Sequence, residues 1–253
     1  MDDDVPLVAS TDYISYICKR QKWNSEEVRI SPTVLVATPF FLQVFKKIVT
    51  CNKQEKTIIR NHHLIPDVEA SLVEARIGTP LMAMDVEIMI ALGAQRFIYL
   101  AFAGSIHENI IPGDIIITQG ALNETGIPSL YGWDDLLIPS DPLITQKLVD
   151  MAQKINIPFR TGIHWCTDAP YRETWGKVKK FRREGALCVE MEGSGLFSVC
   201  NYYEKSAGAV YVITDVVGER GWEQSWHTRD VLRGCKEVTT CIYSLLREER
   251  VLP

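Results

Sequence analysis

Short apolar and β-branched runs alternate along the chain with stretches of helical period. Thr33–Thr38 (TVLVAT) predicts a buried strand, and a helical stretch follows at Phe41–Val49. Lys56–Ile65 and Ala70–Ala75 predict two extended segments. Pro80–Leu92 predicts a helix that stops at Gly93. Phe97–Ala101 and Asp114–Thr118 predict strands, the second entered through the turn pair Pro112-Gly113. Pro142–Ile155 predicts a helix, Thr161–Cys166 a strand, Arg172–Glu184 a helix and Ala207–Ile213 a core strand. The closing helix, Arg229–Leu246, carries Val231, Cys235, Val238, Ile242 and Leu245 on one face. Strands alternating with helices predict a three-layer α/β/α sandwich around a central mixed, largely parallel sheet. The chain shows no repeat or linker. The expectation is one domain, residues 33–253, behind a helical N-terminal extension, residues 1–32, packed on it.

Open sheets of this kind bind ligands at the carboxyl ends of their strands. The strand ends to inspect are Thr38-Pro39, Ala101–Ser105, Thr167–Tyr171, Val189–Glu192 and Thr214-Asp215. At one of them, Glu190-Met191-Glu192-Gly193 places two carboxylates around a methionine where strand gives way to helix. A carboxylate accepts two hydrogen bonds side by side, which matches the adjacent donors of a ribose 2′,3′-diol. Taken alone, the pair is better read as a solvent-facing glutamate and a helix-start glutamate placed there by the helix dipole. Asp215 ends a strand too apolar to leave it an ordinary surface residue; it is a helix cap, a structural partner or an acid. Thr167-Asp168-Ala169-Pro170-Tyr171 reads as a turn whose tyrosine is able to stack on a flat base.

Composition narrows the classes. The chain has 253 residues, is 46% hydrophobic and carries a formal net charge of −5. That is ordinary globular composition, and the acidic balance disfavours nucleic acid as a partner. No apolar run reaches the length of a membrane span. The acidic start, MDDDVPLV, lacks the basic segment of a secretory signal, so a cytoplasmic location is expected. Seven cysteines with no CxxC pair, and scattered histidines, suggest neither a disulfide framework nor a metal site.

The segments around Thr167–Thr174, Glu190–Glu192 and Thr214-Asp215, in that order, resemble the nucleoside phosphorylase and nucleosidase superfamily. So do Ile77-Gly78-Thr79-Pro80, the run Phe97–Ile106 and Gly113–Ile117. The resemblance runs from about Thr33 to the C-terminus. It implies that Glu192 binds the ribose hydroxyls, that Met191 packs on the sugar and that Glu190 lines the pocket floor. It also implies that Thr167, Pro170, Tyr171 and Thr214 border the base. Asp215 would donate the proton that neutralises the departing base, and its presence favours a purine. Homo-oligomerisation is implied too, with no cofactor beyond phosphate as co-substrate in a phosphorolytic member.

The pattern breaks where the superfamily holds its anion. The nucleophile region is Thr38, Tyr99, Phe102, Ala103 and Gly104; Tyr99 stands where an arginine is expected and Phe102 where a hydroxyl is expected. Phenylalanine cannot donate to phosphate, and an unpaired dianion is costly to desolvate. Three readings compete: a nucleosidase with water as nucleophile, ranked slightly ahead; a phosphorylase with a relocated anion site using Arg76 or a neighbouring subunit's Arg60 or His62; and a non-catalytic nucleoside-binding or storage protein. Glu74 is a weak candidate for orienting water. Trp222, Trp226 and His227 lie in a loop that would lid the pocket or simply pack on the surface. Arg172 and Glu173 are expected to pair at a helix start.

Overall fold

The computed structural model describes residues 6–251; the first five residues of the expected extension and the last two of the expected domain lie outside them. The chain builds eleven strands and seven α-helices among the described residues. In chain order the strands are β1 (Thr33–Ala37), β2 (Asn52–Lys53), β3 (His63–Ile65), β4 (Ala70–Glu74), β5 (Arg96–Ser105), β6 (Ile115–Glu124), β7 (Leu137–Pro139), β8 (Arg160–Thr167), β9 (Ala186–Glu190), β10 (Ser206–Gly218) and β11 (Gly221–Gln224). The helices are α1 (Ser10–Gln21), α2 (Pro39–Ile48), α3 (Thr79–Ala91), α4 (Pro142–Lys154), α5 (Trp175–Arg183), α6 (Gly193–Tyr202) and α7 (Arg229–Val251).

One mixed sheet carries all the strands. β1 lies parallel between β4 and β5, and β10 runs parallel to the other edge of β5. β6 pairs antiparallel with β10 and parallel with β8, β8 lies parallel to β9, and β9 returns antiparallel to β5. The strands β5, β10, β6, β8 and β9 therefore close into a ring, while β1, β4, β3 and β2 extend from it as an open wing. Closure protects strand edges that an open sheet would leave unpaired.

The apolar periods explain the layers. On one face, α3, α6 and α1 cover Val34, Val36, Phe97 and Tyr99, with Ile14 and Cys18 of α1 joining that core. On the other, α2, α4 and α7 cover Leu35, Ala37, Ile98 and Leu100. Alternate residues of β1 and β5 thus enter opposite cores, as the two-residue period of a strand requires. α7 buries Val231, Cys235, Val238, Ile242 and Leu245, the stripe read from the sequence. A third, smaller core around Trp165 and Phe181, stacked at 4.4 Å, seats α5.

Some boundaries differ from expectation. Of Lys56–Ile65 only β3 is strand; the rest is turn and bend, with Asn61 left-handed at φ 45° and turning the chain before His62. The helix expected from Arg172 begins at Trp175, because Pro170–Arg172 forms a separate 3₁₀ turn and the Thr174 hydroxyl caps α5 by accepting from Lys177 N. β10 runs five residues beyond Ile213 because the hairpin with β11 pairs it there.

Candidate active site

The carboxyl ends of β1, β5, β9 and β10 surround a cavity of about 600 Å³. Glu192 and Asp215 both line it, though they lie on different elements and 23 positions apart in the chain. Met191, Glu190, Pro170, Tyr171, Thr214, Thr38, Tyr99, Phe102, Ala103 and Gly104 line it as well.

Glu192 is the N-cap of α6, buried, with both oxygens aimed by the protein. Oε1 accepts from Gly78 N at 2.6 Å and Oε2 accepts from the Tyr99 hydroxyl at 3.0 Å. Each oxygen keeps a second lone pair for a ligand. Burial, reinforced by the charge on Glu190, raises the Glu192 carboxyl from 4.5 to about 7. Burial and the nearby carboxylates push the Tyr99 phenol far up, so it stays a neutral donor. Tyr99 thus belongs to the Glu192 end of the cavity rather than to an anion site.

Glu190 lies beneath. Its Oε2 accepts from Glu192 N and Gly193 N, each at 2.9 Å, and its Oε1 meets His164 Nε2 at 3.0 Å. Burial opposes its charge, but His164 and these donors hold the carboxyl below 4.5. Gly193 is required here: a Cβ would sit 2.5 Å from His164 Nε2 and 2.6 Å from the Tyr211 hydroxyl.

A bulge aims Asp215. The β10–β5 register slips between Ile213 and Asp215, so Asp215 pairs with Gly104, where unbroken register would place Thr214. Gly104 leaves room for the carboxylate, since a Cβ there would lie 2.8 Å from Oδ2. Asp215 Oδ1 accepts from the Thr214 hydroxyl at 2.7 Å, and Oδ2 accepts from Trp222 Nε1 at 2.7 Å. Trp222 comes from β11, which pairs Gln224 opposite Asp215 and so folds the hairpin over the cavity.

Thr167 does not line the cavity. Its hydroxyl turns to Glu124 Oε2 at 3.0 Å, the acceptor it shares with Trp165 Nε1. At the last position of β8 the side chain points towards paired β6, not the ligand space. Glu74 is also off the cavity, tied to Arg60 at 2.6 Å and to Asn61. His62 is turned inward to Ser71 at 2.9 Å. Arg76 does line the cavity, but Asp85 takes its guanidinium in a two-pronged pair.

Phe40, which the sequence did not single out, joins Phe102, Trp226 and His227 in the wall. Phe40 and Phe102 lie 5.9 Å apart; Phe102 meets Trp226 at 6.5 Å and Phe40 meets His227 at 5.7 Å. Phe40 and Phe102 make the apolar part of this wall, which has no donor for a phosphate, while Trp226 and His227 bring ring N–H groups. The Thr38 hydroxyl beside them is buried and has no hydrogen-bond partner among the described residues. Glu173 lines the cavity too, and among the described residues it makes neither the expected pair with Arg172 nor another ion pair. Burial and then the charge on Asp215 raise its carboxyl to about 7. Its signal in sequence was proximity to Tyr171, two positions earlier.

The superfamily model described as "Phosphorylase superfamily" matches residues 33–247. The chain belongs to the phosphorylase superfamily. Its relatives include a DeoD-type purine nucleoside phosphorylase of Brevibacillus brevis, 28% identical over 130 residues that cover 51% of this chain and 55% of that protein. A uridine phosphorylase of Thermococcus kodakarensis is 26% identical over 159 residues, covering 58% of this chain and 57% of that protein. The matched stretch thus spans little more than half the length of these superfamily relatives. A purine nucleoside phosphorylase of Toxoplasma gondii, solved with immucillin-H, superposes with a TM-score of 0.77 over 90% of this chain and 94% of that one, at 19% identity. That likeness establishes the superfamily fold. Among the described residues no cluster of three His, Cys, Asp or Glu side chains is placed to hold a metal, and no helix is long and apolar enough to cross a membrane.

Proposed function

We propose that this protein cleaves the N-glycosidic bond of a purine nucleoside, with water as the nucleophile. The observation that carries the reading is the meeting of Glu192 and Asp215 in one cavity. An ionised Glu192, already held by Gly78 and Tyr99, accepts the 2′ and 3′ hydroxyls on its remaining lone pairs, and Met191 packs on the sugar. As the C–N bond lengthens, the ribose gains positive charge and the base negative charge. Glu192 favours the first, a proton from Asp215 at purine N7 relieves the second, and water adds to C1′ as the C–N bond breaks, its surplus proton passing to solvent, from which Asp215 is reprotonated. Acid help of this kind is worth ~10²–10⁴ in rate. Pro170, Tyr171 and Thr214 border the base.

Water is favoured over phosphate by the lining. Its guanidinium, Arg76, is already paired with Asp85. Phe40 and Phe102 offer no donor to a dianion, and the carboxylates of Glu190 and Glu192 repel one. The unpartnered Thr38 hydroxyl suits a small polar nucleophile. The second reading, phosphorolysis, is supported by what the relatives are named for.

The test is incubation with inosine or adenosine, with and without phosphate, and detection of free base. Release independent of phosphate is expected. Strict phosphate dependence replaces hydrolysis with phosphorolysis. Binding without release makes the chain a nucleoside-binding or storage protein. We also expect a homo-oligomer, since Ile77 and Tyr171 line the cavity while 74% and 97% exposed. A reducing, cytoplasmic setting suits seven cysteines that are all free thiols.

A further inference from the structure

Beneath the cavity lies a fully buried polar chain that the mechanism above leaves unused. His164, on β8, is 0% exposed and sits between the rings of Tyr211 at 4.9 Å and Phe197 at 6.1 Å. Its two ring nitrogens face different partners. Nδ1 lies 2.8 Å from the Thr118 hydroxyl oxygen. The Thr118 hydroxyl commits its own hydrogen to the carbonyls of Gly120 at 3.0 Å and Gly162 at 3.3 Å. Nε2 lies 3.0 Å from Glu190 Oε1 and is the ring's contact with that carboxylate. The other Glu190 oxygen accepts from Glu192 N, and the Gly193 N–H is shared between the two oxygens. An unbroken path of hydrogen bonds thus runs from the β6 bulge to the backbone of the residue that faces the ligand space.

We infer that His164 is a positioning residue for the sugar grip: by fixing Glu190 it fixes the backbone of Glu192 and so the aim of the Glu192 carboxylate. The inference rests on the reading above, in which Glu192 accepts the ribose diol. The residue types fit the task. Without the histidine, Glu190 Oε1 keeps only its share of the Gly193 amide at 3.0 Å, so the carboxylate loses the anchor that sets its angle against the Glu192 and Gly193 amides. A histidine wedged between Tyr211 and Phe197 is held in place, so it serves as that anchor. The absence of any Cβ at Gly193 keeps the approach of ring to helix start short enough for the bond.

Geometry supplies a discriminating pair of variants. The amide nitrogen of glutamine reaches the place of Nε2, whereas that of asparagine reaches the place of Nδ1. His164→Gln keeps a donor to Glu190; His164→Asn loses it. Both are neutral, and both leave a similar buried polar group. The experiment measures KM and kcat for a purine riboside and for its 2′-deoxy counterpart with wild type, His164→Gln and His164→Asn, with thermal melting to establish that each is folded. His164→Asn is expected to raise KM for the riboside roughly tenfold or more, the scale of a lost hydrogen bond to a charged group. It should raise KM for the deoxynucleoside several-fold less, because that substrate uses one fewer hydroxyl on Glu192. His164→Gln should stay within about threefold of wild type on both. An equal loss on the two substrates, or a folded His164→Asn protein with wild-type KM, overturns the inference while leaving the proposed reaction standing. If wild type neither binds nor cleaves ribosides, the proposed reaction and the inference fall together. If His164→Asn does not fold, His164→Gln decides: equal large KM losses on both substrates count against positioning, and wild-type-like values support it.

Discussion

Replacing Glu192 by glutamine should make the protein more stable at alkaline pH than at acidic pH, relative to wild type. Burial first, and the charge on Glu190 second, lift the Glu192 carboxyl from 4.5 to about 7. An acid whose folded-state pKa lies above its unfolded value holds its proton more tightly in the folded chain. Below about pH 4.5 both states are protonated and nothing is lost. Above about pH 7 both are ionised, and the folded state bears the whole cost of a buried charge. The rise from 4.5 to about 7, at roughly 1.4 kcal/mol per pH unit, makes that cost about 3 kcal/mol. Part of it is already present at pH 5, where an unfolded glutamate is mostly ionised.

Glutamine keeps the shape and removes the titration. Its oxygen still accepts from Gly78 N, and its amide donates to the Tyr99 oxygen once that hydroxyl turns. Urea unfolding of both proteins at pH 5 and pH 8 gives the stability gap at each pH. The gap should move in favour of Glu192→Gln by about 2 kcal/mol between the two. Glu173, raised to about 7, and His62, lowered to about 4 by burial, titrate in both proteins and cancel in the comparison. A gap constant to within ~0.5 kcal/mol would falsify the buried-charge account.

Asp215→Asn should leave nucleoside binding within a few-fold of wild type and lower kcat by ~10²–10⁴, read from base release under saturating substrate; undiminished turnover removes Asp215 as the proton donor. Gly193→Ala should destabilise the chain by ~2 kcal/mol or more, because the new methyl falls on His164 Nε2 and the Tyr211 hydroxyl at 2.5 and 2.6 Å. Its thermal midpoint should drop by several degrees, and an unchanged midpoint would mean that the two side chains move aside at no cost.

Much of the frame was legible in the residues. The two-residue alternation of β1 and β5 and the apolar stripe of α7 are local periods, set by which side chains must leave water, and they survive into the fold almost unchanged. Asp215 was legible because it ends an apolar run, where a carboxylate needs a reason to be, and Glu192 because two carboxylates flank a methionine where strand gives way to helix, its role coming from the resemblance. Thr167 was misplaced because the last residue of a strand faces either its neighbour strand or the loop space, and Glu124, 43 residues earlier, decides which. Glu173 was misjudged because no short-range pattern tells whether a helix-start glutamate pairs with an adjacent arginine or turns inward.

By itself, then, the order of apolar and polar residues determined that this chain forms alternating strands and helices, and which strand ends carry carboxylates. The tertiary structure alone decided that β5, β10, β6, β8 and β9 close into a ring, that a bulge at Thr214 turns Asp215 towards Gly104, and that Phe40, Phe102, Trp226 and His227 meet in one wall. The reason is one of range. Periodicity records what each residue asks of solvent. Register slips, ring closure and the bond between His164 and Glu190 depend on partners that come together only when distant strands pair.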